Sequence, residues 1–291
     1  MALPATDTIV TFPVGDLAAT GTVVHVAPHG EHVAVVTDVT SIHPVDSAWP
    51  DQPADPGVLR AGGGEFPIRD AVVAATDGAD LHIGDIPVRP GTDGWSFLVA
   101  HLVDADVPVA EGDEVELEAD GSARRALSLG HTACHAASLA LNRALARGWS
   151  KAAREDALGS PDFDGIAIAT SRIHPFGSVD RYRLNKSLRR AGFDPSGLAD
   201  GLVELAASVD ATLAEWVAAD ANVRIERVGE HLTDRRTWVC ELPEGSARIP
   251  CGGTHASSLG ELGAVHVSFE LGDDGGTPVL TMTTTAGPGA A

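Results

Sequence analysis

Runs of hydrophobic residues interrupted by turn signals dominate the first 120 residues, and this pattern predicts β-strands. Two pairs of such runs are separated by short turns: 20–27 and 31–39 around Pro28-His29-Gly30, and 71–76 and 79–83 around Asp77-Gly78. A Pro-His-Gly break between valine-rich runs is typical of a hairpin, and Asp-Gly is among the strongest short hairpin turns. The run 115–118 adds a further strand. This spacing of short strands predicts a small β-barrel over residues 1–120, with 44–64 as an ordered loop.

From residue 121 the pattern changes to a mixture of helices and strands. A helix is expected from His131 to Ala146, after Gly130 and before the Arg147-Gly148 stop signal. A second helix is expected to begin at Asp194-Pro195, since Asp and Pro are common at a helix start. Strands are expected at 223–228 and 265–269. The chain is therefore predicted to be α+β, with a barrel domain (1–120) followed by an α+β domain (121–291).

Composition narrows the possible classes of protein. The 291 residues are 44% hydrophobic, and no apolar run reaches the length of a membrane span. The N-terminus lacks the features of a secretory leader, so we expect a cytoplasmic protein that does not enter a membrane. A formal net charge of −21 argues against non-specific nucleic-acid binding.

The segment Arg172–Arg190, here called the basic segment, reverses this acidic balance. It contains six basic residues and one acidic residue, Asp180, which gives a local charge of +5 (six minus one). The basic residues are Arg172, Arg181, Arg183, Lys186, Arg189 and Arg190. A stripe of this kind can meet a phosphate backbone, and a solvated face balanced by acidic neighbours explains it equally well.

Two short motifs carry candidate metal chemistry. His131 and His135 are four residues apart, a spacing that places both imidazoles on one face of a helix. Cys251 and His255 flank two glycines that permit a tight turn. Each motif alone is weak, but together they offer three imidazoles and a thiolate, the ligands that zinc prefers. Cys134, inside the first motif, is expected to pack beside the helix rather than to bind the metal.

The first motif differs from that of the zinc peptidases. Those enzymes carry a glutamate after the first histidine as general base, and Thr132 occupies that position here. Four protein ligands would also leave no open position for water on zinc. Catalysis would then need ligand exchange or a metal that orients the substrate, and the sequence leaves both open.

The two motifs, HTACH and PCGGTH, resemble those of the alanyl-tRNA synthetase editing domain and its free-standing relatives, the AlaX-type trans-editing proteins. Further segments are similar to stretches of that family in the same order along the chain. They are Gln52–Gly57, Arg124-Arg125, Gly177–Leu184 and Ser258–Gly263. The first resembles the end of a glycine-rich GGQPxDxG loop that lies in an N-terminal β-barrel of the family.

The resemblance implies a hydrolase that removes serine or glycine from mischarged alanine tRNA with the help of Zn²⁺. Carried over by motif, His131, His135, Cys251 and His255 would bind the zinc. Thr132 and Thr254 would line the catalytic pocket, an assignment made by proximity only. The contacts to the aminoacyl-tRNA would come from the basic segment and the glycine-rich loop: Arg172, Arg181, Arg183, Lys186, Arg189, Arg190, Gln52 and Asp55.

Two other functions remain open at this point. Pro50-Asp51 stands where the family has Gly-Gly before the glutamine, and this difference motivates a metal-dependent hydrolase of a small ester or amide on the same fold. A four-ligand site also suits a zinc-stabilised binding module without turnover. Hydrolysis of small esters without any gain from the tRNA body would indicate the former, and chelation that melts an inactive protein would indicate the latter.

Overall fold

A computed structural model describes residues 3–46 and 48–287. In chain order the strands before residue 120 are β1 (Ile9–Val10), β2 (Ala18–His29), β3 (His32–Thr37), β4 (Val39–Thr40), β5 (Gly57–Ala61), β6 (Gly64–Ile68), β7 (Asp70–Thr76), β8 (Leu81–Ile83), β9 (Ser96–Asp104) and β10 (Glu114–Ala119). The later strands are β11 (Ile168–His174), β12 (Gly177–Arg183), β13 (Val223–Arg227), β14 (Arg236–Leu242), β15 (Gly245–Pro250), β16 (Val265–Asp274) and β17 (Thr277–Ala286).

The α-helices are α1 (Gly121–Ala144), α2 (Phe163–Ala167), α3 (Lys186–Ala191) and α4 (Leu202–Ala218), and short 3₁₀ turns lie at Phe12–Val14, Ala146–Gly148 and Leu259–Leu262. The predicted hairpins are confirmed, since β2 pairs with β3 and β7 with β8 in antiparallel register. No helix within the described part of the chain is long and apolar enough to span a membrane.

The chain divides into two compact units. The first comprises Met1–Arg124, Ile225–Thr237 and Gly252–Thr254, and the second Arg125–Arg224, Trp238–Cys251 and His255–Ala291. The proposed domain boundary at residue 120 stays a prediction.

An eight-stranded sheet forms most of the first unit. Its strand order is β6-β5-β10-β2-β3-β9-β7-β8, which has two ends, at β6 and β8. The described strands therefore form a mostly sheet structure without a closed barrel, and the predicted barrel is not confirmed. The core beneath the sheet includes the fully buried Val35, Ile42, Leu59 and Leu117. The region expected to be one loop, 44–64, contains β5 and the start of β6.

The second unit contains a four-stranded antiparallel sheet with the order β11-β12-β17-β16. Helix α4 packs against β16 through its buried stripe, which includes Leu205, Val209 and Leu213. A three-stranded sheet has the order β13-β14-β15.

Both predicted helix starts were wrong. Helix α1 begins ten residues before His131, because the Asp120 carboxylate accepts hydrogen bonds from the Ser122 and Ala123 amides (2.8 and 3.0 Å) and caps its first turn. Helix α4 begins at Leu202, not at Asp194. The Asp194 carboxylate accepts from the Ser196 amide at 3.0 Å and so belongs to a separate turn.

Candidate metal centre

Helix α1 supplies the first two side chains of the candidate centre. His131 and His135 lie one turn apart, with ring centroids 4.8 Å from each other. Gly130, which precedes them, lies inside the helix where backbone atoms of His174 and Gly177 occupy the place of a Cβ. The sequence predicts a helix boundary at this glycine, whereas in the structure it permits close packing of α1 against the β11–β12 hairpin.

The turn after β15 supplies the other two side chains. The Cys251 Sγ lies 3.3 Å from the Nε2 of His255 and 3.5 Å from the Nε2 of His131. One ligand atom from each of His131, His135, Cys251 and His255 lies within 4.8 Å of the others. Two segments separated by 115 intervening residues (136–250) therefore converge on one point, as the paired motifs predict.

This donor set fits a metal ion. Zn–N and Zn–S bonds arranged as a tetrahedron would separate nitrogen and sulfur by about 3.6 Å, close to the two sulfur–nitrogen distances in the protein. The Nε2 of His135 is buried and has no hydrogen-bond partner among the described residues. Burial lowers the pKa of His135 to about 4, which favours the neutral imidazole that metal binding requires. The group could hold a metal ion.

Thr132 connects the two halves of the donor set. Its buried hydroxyl oxygen accepts a hydrogen bond from the Ala256 amide at 3.0 Å. The same oxygen lies 3.3 Å from the Nδ1 of His255. If the Nδ1–H donates to this oxygen, the Nε2 of His255 keeps its lone pair for a metal.

Trp238 packs beside this group and was not singled out from the sequence. Its ring centroid lies 5.1 Å from that of His135 and 6.2 Å from that of His255, and the side chain is fully buried. The indole forms an apolar wall on one side of these two imidazoles. Its position on β14 gives no sequence signal for such a role.

Cys134 does not belong to the donor group. Its thiol lies 3.5 Å from a carboxylate oxygen of Asp180, and burial raises the pKa of the thiol well above its usual value. The Asp180 carboxylate also accepts hydrogen bonds from the hydroxyls of Ser171 (2.6 Å) and Ser178 (2.7 Å). These residues form a buried polar cluster that sequence reasoning missed.

The residues expected from the glycine-rich loop lie in the first unit. The Gln52 side chain donates to the Thr254 hydroxyl at 2.9 Å and accepts from the Thr254 amide at 3.0 Å. Asp55 pairs with Arg124, whose Nε donates to Oδ1 at 2.8 Å. Gln52, Asp55 and Thr254 are all buried. Their parts in substrate binding and catalysis stay predictions.

The six basic residues separate into two groups of three. Arg172 lies on β11 and Arg181 and Arg183 on β12, whereas the others, Lys186, Arg189 and Arg190, lie in α3. All six side chains are exposed. The segment is thus divided between the β11–β12 hairpin and α3 of the second unit.

Together, the fold and the site define a mixed unit of helices and antiparallel sheets with a three-histidine, one-cysteine candidate metal centre.

The sequence is similar to those of several alanine–tRNA ligases. The chain is 29% identical to an alanine–tRNA ligase of Frankia alni over 265 residues. The matched region covers 89% of this chain and 25% of that ligase. The chain is 31% identical over 208 residues to that of Frankia casuarinae, covering 69% of this chain and 20% of the ligase.

A Parafrankia alanine–tRNA ligase is 28% identical over 256 residues, or 86% of this chain and 24% of the ligase. The chain thus spans a quarter or less of the length of these relatives. No family model matches it. The predicted resemblance to the alanyl-tRNA synthetase family is confirmed, and the chain matches an editing-type domain of that family.

Proposed function

We propose that the chain binds Zn²⁺ through His131, His135, Cys251 and His255 and hydrolyses the ester of mischarged aminoacyl-tRNA, serine or glycine on alanine tRNA. The observation that carries this proposal is the convergence of the four ligand atoms within 4.8 Å. The similarity to alanine–tRNA ligases supports a tRNA-related substrate. We propose residues 121–291 as the catalytic domain and 1–120 as its companion.

If one ligand is exchanged or the shell expands to five, a zinc ion bound here would polarise the ester carbonyl and stabilise the oxyanion that develops on it. The chain's own residues would prepare the site. Thr132 would hold His255 in the tautomer that presents its Nε2, because its oxygen accepts from the other ring nitrogen. Trp238 would place an apolar wall beside His135. Gln52 would hold Thr254 through its two hydrogen bonds.

The proposal is tested by deacylation of Ser-, Gly- and Ala-charged alanine tRNA, with zinc content measured in the same samples. We expect hydrolysis of the Ser or Gly ester and about one zinc per chain. His135→Ala should lose the zinc and lower the rate by more than about 100-fold. His231→Ala, which removes an exposed histidine of the first unit, is the matched control and should behave like the parent.

A second function has one observation in its favour. Four protein donors fill a tetrahedral zinc shell, which is typical of structural sites. A zinc-stabilised binding module would lose its cooperative melting on chelation and would hydrolyse no aminoacyl-tRNA when loaded with zinc. Hydrolysis of the charged tRNA by the zinc-loaded protein would rule this function out.

A further inference from the structure

Trp238 of β14 belongs to a compact group of rings at the candidate metal centre. Its ring centroid lies 5.1 Å from that of His135 and 6.2 Å from that of His255. The ring of His131 completes the group, with its centroid 4.8 Å from that of His135 and 4.3 Å from that of His255. The indole is therefore a direct neighbour of two candidate ligands, although it has only an N–H donor and no lone pair for a metal.

The N–H group of this side chain has no acceptor within the chain. The Nε1 of Trp238 is buried, and no described residue accepts a hydrogen bond from it. The side chain has no exposed surface (0%), so bulk water does not reach the N–H. A buried donor without a partner costs about 1–3 kcal/mol, and a buried indole N–H usually has a partner. We therefore expect the acceptor to come from outside the chain.

The other buried tryptophans of the second unit differ in one of these two properties. Trp216 is 1% exposed, and its Nε1 donates to a carboxylate oxygen of Glu244 at 2.8 Å. The Nε1 of the half-buried Trp149 also lacks an acceptor among the described residues, but its ring packs against Phe193, with centroids 5.4 Å apart. Trp238 combines an unpaired donor with a position beside the candidate ligands.

The chemistry of this donor limits what it can bind. An indole N–H is uncharged and donates a single hydrogen bond, so it suits a carbonyl oxygen or the negative charge that develops on one. The ester of the proposed substrate has such an oxygen on its acyl carbon. A fixed donor at that oxygen binds more strongly as charge develops there, which is the condition for lowering the barrier.

We propose that the indole N–H of Trp238 donates a hydrogen bond to the acyl oxygen of an ester bound at the candidate metal centre, which makes Trp238 a further catalytic residue. This inference rests on the proposed function for the identity of the ester. Water adds to the acyl carbon, and the electron pair of the C=O bond moves to the oxygen that Trp238 contacts. The pair then forms the C=O bond again, while the ribose oxygen leaves and takes up the proton that the water lost. Trp238 keeps its own proton throughout.

The first test observes the N–H group itself. The five tryptophans give five indole signals in a ¹H–¹⁵N spectrum of the zinc-loaded full chain, and the signal lost in Trp238→Phe belongs to Trp238. Acetohydroxamate is the probe, because it brings a carbonyl oxygen to a zinc site. We expect the Trp238 signal to move downfield as the probe is added, since its N–H gains an acceptor. The signals of Trp216 and Trp149 should stay in place.

The second test measures hydrolysis of Ser-charged alanine tRNA by two matched variants. Trp238→Phe keeps an aromatic ring beside His135 and removes the N–H donor. Loss of one donor to a developing oxyanion lowers kcat by about 100- to 1,000-fold, so we expect a fall of that size with little change in KM, zinc content or melting temperature. Trp216→Phe removes an indole N–H that is already paired with Glu244, and it should keep the parent kcat.

A Trp238 signal that does not respond to the probe would overturn the proposal, because the N–H would then face a fixed partner such as an ordered water. So would an unchanged kcat in Trp238→Phe. A fall in kcat that only follows loss of zinc would assign Trp238 to the support of the ligands and would also overturn it. If the parent hydrolyses no charged tRNA while the probe still moves the Trp238 signal, the proposed function fails and the donor at the centre stands.

Discussion

Two buried aspartates, one in each unit, have opposite kinds of partner. In the first unit Asp55 is 2% exposed and is held by the guanidinium of Arg124, which also donates to the Ser41 carbonyl at 2.7 Å. In the second unit Asp180 is 1% exposed and its hydrogen-bond donors are two hydroxyls and a thiol. The first carboxylate has a cation beside it, and the second has neutral donors only.

The difference shows how each unit tolerates a buried acid. If one partner of a buried ion pair is removed, the other charge stays buried without compensation, and the free energy of unfolding falls. A buried acid with neutral donors instead makes stability depend on pH, because burial raises its pKa. This is the case for Asp180, whose pKa is raised by burial. The two units should therefore respond to different perturbations.

The largest effect is expected from Arg124→Leu, which leaves Asp55 buried without its cation. We expect a loss of about 3–5 kcal/mol in the free energy of unfolding, measured by urea denaturation with hydrogen exchange to localise the change to the first unit. The neighbouring Arg125→Leu is the control. It removes an exposed pair with Glu261, for which about 0–1 kcal/mol is usual. Equal losses in the two variants would contradict the comparison.

A second effect concerns Asp164, which accepts a hydrogen bond from the Tyr182 hydroxyl at 3.0 Å. Burial raises the pKa of Asp164 to about 7. The charges of Asp180 and Asp162 add to this rise, and Tyr182 and Arg154 oppose it. The folded chain thus holds this proton more tightly than the unfolded chain, whose carboxyl pKa is about 4. Stability should fall as pH rises from about 4 to about 7.

Asp164→Asn should remove the fall in stability that accompanies ionisation of this carboxyl group between about pH 4 and about pH 7. Because the side chain is partly exposed, we expect a gain of about 2–3 kcal/mol above about pH 8, less than the full shift would give, and none near pH 4. Urea denaturation across this pH range measures it. The exposed Asp200→Asn is the control and should leave the pH profile unchanged. A gain of equal size at both ends of the range would show that the carboxylate charge is not the cause.

The smallest effect is expected from Ser178→Ala, which removes one of the donors to Asp180. The loss should be about 1–2 kcal/mol. It should grow with pH, because the ionised carboxylate needs the hydroxyl more than the protonated one does. Calorimetric unfolding at low and high pH measures the difference. Ser187→Ala, at an exposed position of α3, should cost nothing, and a pH-independent loss at Ser178 would count against the neutral-donor description.

Local sequence patterns predicted the local parts of this molecule. The β2–β3 and β7–β8 hairpins were predicted because turn residues and alternation lie within a few residues of each other. The start of α1 was missed because Gly130 looks like a boundary, while the reason for a glycine there is the approach of a distant hairpin. The expected barrel depended on how the outer strands of the sheet would meet, which short patterns do not encode.

In the candidate centre, too, local spacing predicted some features, whereas contacts between distant segments could not be predicted. Each of its two halves has a spacing that can be read directly, four residues in both cases, so the four donors could be named in advance. The partners that surround them could not. The Ser171–Asp180 contact depends on the register of β11 against β12. Trp238 reaches His135 from a strand far along the chain, so local spacing gives no hint of either contact.

The threonine between the two histidines of α1 has a consequence for how a cofactor is acquired. Its oxygen joins the helix to the turn that carries the other two donors, through bonds that owe nothing to an ion. Because these bonds do not involve the ion, we expect a chelated chain to keep this turn beside the helix, so that metal can bind again without refolding.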